Sequence, residues 1–191
     1  ASSPFMPVSS SRFQRDESAS FTVEAVVFFP VIMMTIMAMF TFYDMFKTRS
    51  ISLKANYAIS DYLSRESTAI SESYLNGLFG VYQYLSPAAD APWMRVTVVG
   101  CTFRCDADTR ELFTHWSYST QEADALDNDY LSDAYMEMIP AIASGEYVVM
   151  VETGYSYNSP IKIPFAEFMT RHFNDVVVTR PRFVPKLDWA G

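Results

Sequence analysis

Two cysteines, two histidines and one run of carboxylates are the residues with which this 191-residue chain could do chemistry. Cys101 and Cys105 stand four apart, and four residues of extended strand span about 13 Å, well beyond the ~7 Å Cα limit for a disulfide. A bridge therefore requires a tight turn at Thr102, Phe103 and Arg104. The alternative is a pair of free thiols, since zinc would need two further ligands at a recognisable spacing. His115 falls in a strand pattern beside Trp116, and His172 reads as the C-terminal residue of a short helix, where a cation favours the dipole. No GxSxG elbow or HExxH helix accompanies them, and the six glycines do not cluster into a phosphate loop. Glu122, Asp124, Asp127, Asp129, Asp133 and Glu137 could together attract calcium, but their offsets miss the EF-hand pattern. A solvated loop with Asp129 or Ser132 capping the next helix accounts for them. We therefore expect no enzyme, no metal and no cofactor. The net charge of −8 likewise argues against nucleic acid as a partner.

One further carboxylate stands apart. Glu24 directly precedes AVVFFPVIMMTIMAMFTFY, residues 25–43, a stretch without a single charge. At ~1.5 Å per residue this run approaches the ~30 Å hydrocarbon thickness of a bilayer. It is longer than the ~7–15-residue apolar core of a signal peptide and ends without a small-residue cleavage motif, so a transmembrane helix over 20–46 is the reading. A carboxylate at its head would cost a few kcal/mol in the bilayer unless paired, or would be hydrated at the interface. Residues 1–19, rich in serine and proline, form a polar leader, and 47–191 form the remaining domain. Arg12 and Arg15 before the span and Lys47, Arg49 and Lys54 after it leave orientation open on charge alone.

No Gly or Pro interrupts the chain between Pro30 and Gly77, so the helix is predicted to continue beyond the membrane, with Ile51, Ala55, Ala58, Ile59 and Tyr62 on its packing face. SREST at 64–68 breaks it. Ile70, Tyr74, Leu78, Val81, Tyr82 and Leu85 then mark a second helical stripe. From Trp93 the period changes to two, with strands predicted at 94–101, 112–119, 147–157 and 176–184, and short helices at 130–142 and 164–172. In the third strand Tyr147, Val149, Val151, Tyr155 and Tyr157 alternate with Glu152, Gly154 and Ser156, as a strand with one packed face should. The fold class is α+β: a long N-terminal transmembrane helix continuing into a helical pair that covers a small, mostly antiparallel sheet.

The segment SFTVEAVVFFP behind its short leader resembles the prepilin-type N-terminus of the TadE-like family, minor pseudopilins of tight adherence (Tad) pilus systems. VETGYSYNSPI followed by VVVTRPRFVP is similar to that family's glutamate and paired-tyrosine strand and its Arg-Pro-Arg ending. The resemblance implies cleavage between Ala19 and Ser20, which makes Glu24 the fifth mature residue, and places Pro30 at the family's early proline. Ala19 departs from the family's glycine before the cut. It further implies that Glu24 pairs with the N-terminal amine of a neighbouring subunit. The implied topology has the N-terminus in the cytoplasm and the C-terminal domain in the periplasm, with which a Cys101–Cys105 disulfide agrees. The implied partners are the prepilin peptidase, the major pilin, other minor pseudopilins and the inner-membrane assembly platform. The alternative is an uncleaved single-pass membrane protein whose extracytoplasmic domain binds a ligand or partner.

Overall fold

A computed structural model describes residues 17–86, 90–105, 110–121, 124–126, 131, 135–159 and 171–190, with side chains from residue 23 onward. Among these, the chain forms α1 (Glu17–Ser64), α2 (Glu72–Leu85), β1 (Asp90–Phe103), β2 (Glu111–Ser119), β3 (Tyr147–Tyr157) and β4 (Arg171–Thr179). It divides into two compact units, Ala1–Tyr43 and Asp44–Gly191. The described part of the first unit is α1 as far as Tyr43. The second contains the remainder of α1, α2 and a four-stranded antiparallel sheet in the order β2-β1-β3-β4, which establishes the α+β class.

The sheet is covered on both faces. On one, Ala55, Ile59 and Leu63 of α1 and Leu75, Phe79 and Tyr82 of α2 pack on Met94, Val96, Val98, Trp116, Val149 and Val151. On the other, Leu126, Leu131, Tyr135, Ile139 and Ile142 cover Val99, Cys101, Val148 and Met150. β3 runs through the middle and is buried along nearly its whole length, so it has two packed faces rather than the single one its alternation predicts. Arg95 of β1 and Glu152 of β3 are cross-strand partners on the second face and form a 2.7 Å ion pair with little solvent contact. Arg95 also donates to the Asp124 carbonyl and the Tyr135 hydroxyl, while Arg110 donates to the carbonyls of Met136 and Ile139, so two guanidinium groups hold the covering segment to the sheet.

Several elements differ from expectation. α2 is capped by Ser71, whose hydroxyl accepts from the Tyr74 N–H, and it buries Leu75, Phe79 and Tyr82; Val81 and Leu85 of the predicted stripe are exposed. Ile70 precedes this helix, in a β-bridge with Trp189. β4 begins at Arg171 and ends at Thr179, not over 176–184, because antiparallel pairing with β3 runs from Tyr157↔Arg171 to Val149↔Thr179 and overrides the weak strand propensity of Asn174 and Asp175. His172 is accordingly a strand residue, its Nδ1 2.9 Å from the Ser156 hydroxyl. The rest of the predicted 164–172 helix lies outside the described residues, as do Asp129 and Ser132. Of the predicted 130–142 helix, Leu131 is helical and the described residues 135–142 form turns and irregular chain. The Arg-Pro-Arg segment lies beyond β4 and staples the tail: Arg180 pairs with Glu146, and Arg182 binds the Ser64 carbonyl through its N–H and Asp61 through its guanidinium.

Candidate functional site

The backbone of Ala19 and Ser20 lies in the first turn of α1, which begins three residues before the expected helix at Glu17. Glu24 is exposed. Beyond it Val26, Phe28, Phe29, Ile32, Met34, Ile36, Met39, Phe40 and Phe42 are each more than half exposed, on all sides of the helix. Only 6% of the most apolar 18-residue window of α1 is buried, which separates it from the core helix of a soluble domain. The helix is long and apolar enough to cross a membrane, a test that a span and a signal sequence both meet.

In the second unit α1 is a different kind of helix. Asp44, Thr48, Ser52, Asn56, Ser60 and Ser64 recur at every fourth position, and Thr48, Ser52, Asn56, Ser60 and Ser64 are buried. The fourfold spacing places them one above another along the face that meets the sheet. The bonds they make are directional. Tyr157 donates to Asp44 Oδ2 at 2.9 Å, Ser52 and Tyr82 share a 2.7 Å hydroxyl contact, and Ser60 Oγ lies 3.0 Å from Thr179 Oγ1. Asn56 Nδ2 donates to the carbonyls of Asp175, at 3.1 Å, and Val151, at 3.4 Å. Rotating or sliding α1 would break all of these together, so the seam sets the register of helix on sheet as hydrophobic contact alone cannot. The packing face predicted from Ile51, Ala58 and Tyr62 is thereby corrected: these three are not buried, whereas Ala55 and Ile59 are. The signal was present as small polar residues at strict fourfold spacing, but polarity normally marks the solvent side.

This seam also carries buried polar atoms that lack a hydrogen-bond partner among the described residues, Asn56 Oδ1 and Asp175 Oδ2. Burial pushes the Asp175 carboxyl up, with Arg49 pulling it back. Burial, reinforced by Asp175, pushes the Tyr155 phenol up to about 12. Tyr157 is likewise pushed up to about 12 by burial and by its bond to Asp44.

Cys101 and Cys105 are joined, their Cα atoms 5.8 Å apart. The required tight turn is made by Arg104, which adopts a left-handed φ of 49°. Both sulfurs belong to the second core. Among the described residues no group of three or more His, Cys, Asp or Glu is placed to hold a metal ion. Comparison with protein-family models, with characterised proteins and with solved structures gave no match.

Proposed function

We propose that the protein is a membrane-anchored structural subunit, a minor pseudopilin that takes part in assembling a Tad-type adhesive pilus by lateral packing of its N-terminal helix. One observation carries this reading. The helix exposes apolar side chains all round, with Glu24 as the one carboxylate between Glu17 and Asp44, and the same helix is bolted by a buried polar seam to a folded domain. An apolar cylinder of this kind suits lipid and the helices of other subunits equally, because its Met, Phe and Val side chains pack against either. Glu24 then supplies specificity: in an apolar helix bundle it would be neutralised by the N-terminal amine released by cleavage between Ala19 and Ser20. The major pilin, other minor pseudopilins, the assembly platform and the prepilin peptidase are the partners this reading names. It places the N-terminus in the cytoplasm and residues 47–191 in the periplasm, where the Cys101–Cys105 disulfide persists.

The test is Glu24→Ala in a piliated strain. Piliation should fall at least tenfold while membrane insertion is unchanged, and normal piliation would overturn the proposal. Intact-mass analysis of the membrane-extracted protein, with and without the peptidase, reads cleavage at Ser20 directly. A second reading, an uncleaved anchored binding module, is favoured by one feature: an open pocket beside the C-terminal tail.

A further inference from the structure

That pocket lies where three segments distant in sequence converge: the loop 67–69 between the helices, the start of β3 at Tyr147, and the tail residues 184–188. Its volume is about 410 Å³, within the ~300–1,000 Å³ range of small-molecule sites. What distinguishes it from an ordinary surface dimple is that each wall is held by a residue dedicated to positioning it. Tyr147 lies over Gly100, where an added Cβ would come 2.9 Å from its ring and 2.6 Å from that of Phe113. The phenol ring is further fixed in T-shaped contacts with Phe113, at 5.9 Å, and His115, at 5.6 Å. On the tail, Asp188 Oδ1 accepts from Lys186 at 2.8 Å and sits 3.3 Å from Nε2 of the same His115. His115 reaches that position through a β-bulge: the β1–β2 register steps from Val98↔Trp116 to Val99↔Thr114, leaving His115 as the extra residue. The loop is fixed by Glu66, whose carboxylate takes the N–H groups of Ser67 and Thr68 and the Thr68 hydroxyl. Those bonds, the Thr68 hydroxyl first, hold the Glu66 carboxyl below its usual range.

The chemistry of the walls selects the ligand. Lys186 is offset by Asp188 at hydrogen-bond distance, so a phosphate or carboxylate entering beside the ammonium would also face a carboxylate. A neutral ligand that both donates and accepts meets neither penalty. Tyr147 and Pro185 provide flat apolar surface, whereas Ser67, Thr68, Lys186 and Asp188 provide donors and acceptors at the rim. A ring with an apolar C–H face and a circle of hydroxyls matches both. We infer that this pocket is a binding site for a pyranose sugar, with Tyr147 as the stacking platform and the Lys186–Asp188 pair as the hydroxyl clamp. The site is open and its polar groups are wet, so the expected dissociation constant is on the order of 1 mM. The inference does not rest on the pilus reading: loss of piliation in Glu24→Ala and loss of sugar binding are separate outcomes.

The experiment is saturation-transfer difference NMR on the full chain in a zwitterionic, sugar-free detergent. The probes are glucose, galactose, mannose and N-acetylglucosamine, with their methyl α-glycosides as a second arm. Transfer to the ring protons of at least one sugar is expected. Transfer to free sugar and glycoside alike assigns the site to the end of a glycan chain; transfer to the free sugar alone assigns it to a soluble monosaccharide. Lys186→Met and Asp188→Asn, both near the surface, should weaken binding at least tenfold with unchanged thermal melting, and Arg65→Ala should have no effect. Absence of transfer for every probe at roughly tenfold above the expected constant, or transfer undiminished in Lys186→Met and Asp188→Asn, would overturn the assignment.

Discussion

Replacing Glu152 with alanine should destabilise the sheet domain by about 3 kcal/mol. Glu152 Oε2 lies 2.7 Å from Arg95 Nε, with 5% and 11% of the respective side chains exposed, so the pair has left water almost completely. Removing one member of a buried pair costs about 3–5 kcal/mol, because the remaining charge has neither water nor partner. The lower end applies because Arg95 keeps the Asp124 carbonyl, the Tyr135 hydroxyl and the Trp93 ring, 5.6 Å from its guanidinium carbon. Glu152→Gln retains an acceptor of the same shape and should cost only about 1 kcal/mol, the difference between a charged and a neutral hydrogen bond. The double change Arg95→Met with Glu152→Leu leaves no buried charge, and should recover at least about 1 kcal/mol of the Glu152→Ala loss despite the acceptors it leaves behind. Equilibrium urea unfolding of the full chain in detergent, followed by tryptophan fluorescence, measures all three. The reasoning fails if Glu152→Ala costs under about 1 kcal/mol, or if the double variant is no more stable than Glu152→Ala.

Other consequences can be read with the same assay. Asp175 has its folded pKa raised by burial, so its contribution is fully present below the unfolded value and is lost as pH rises through the folded one. Wild type should therefore lose stability relative to Asp175→Asn as pH rises from ordinary carboxylate values toward neutrality, and a flat difference would refute the burial argument. Replacing Cys101 and Cys105 together with serine should cost about 2 kcal/mol, the chain entropy of so short a ring, whereas full alkylation without reductant would show that no bridge forms. Gly100→Ala should cost about 1–3 kcal/mol, since the new methyl meets the rings of Phe113 and Tyr147; an unchanged unfolding midpoint would show that the rings move aside freely.

The sequence by itself determined what depends on near neighbours. A charge-free run has only a few stable environments, and period-two alternation is a property of consecutive residues, so the apolar helix and the whole of β3 were legible, and β2 to within one residue. The end of α1 at Ser64 was equally local, marked by a hydroxyl-rich break before the next helix. Tertiary structure decided what depends on which distant segment arrives. Asn56 meets Asp175 across 119 residues, and only that meeting turns a row of hydroxyls and amides, which polarity alone assigns to water, into the buried face of a helix. β4 became a strand through Asn174 and Asp175 because β3 offered it a ladder, not because those residues favour one. The pocket beside the C-terminal tail is the extreme case. Tyr147, His115 and the Lys186–Asp188 pair lie on three separate segments with no shared period, and the physical event that unites them, a bulge in β2 facing a returning tail, exists only once the sheet has formed.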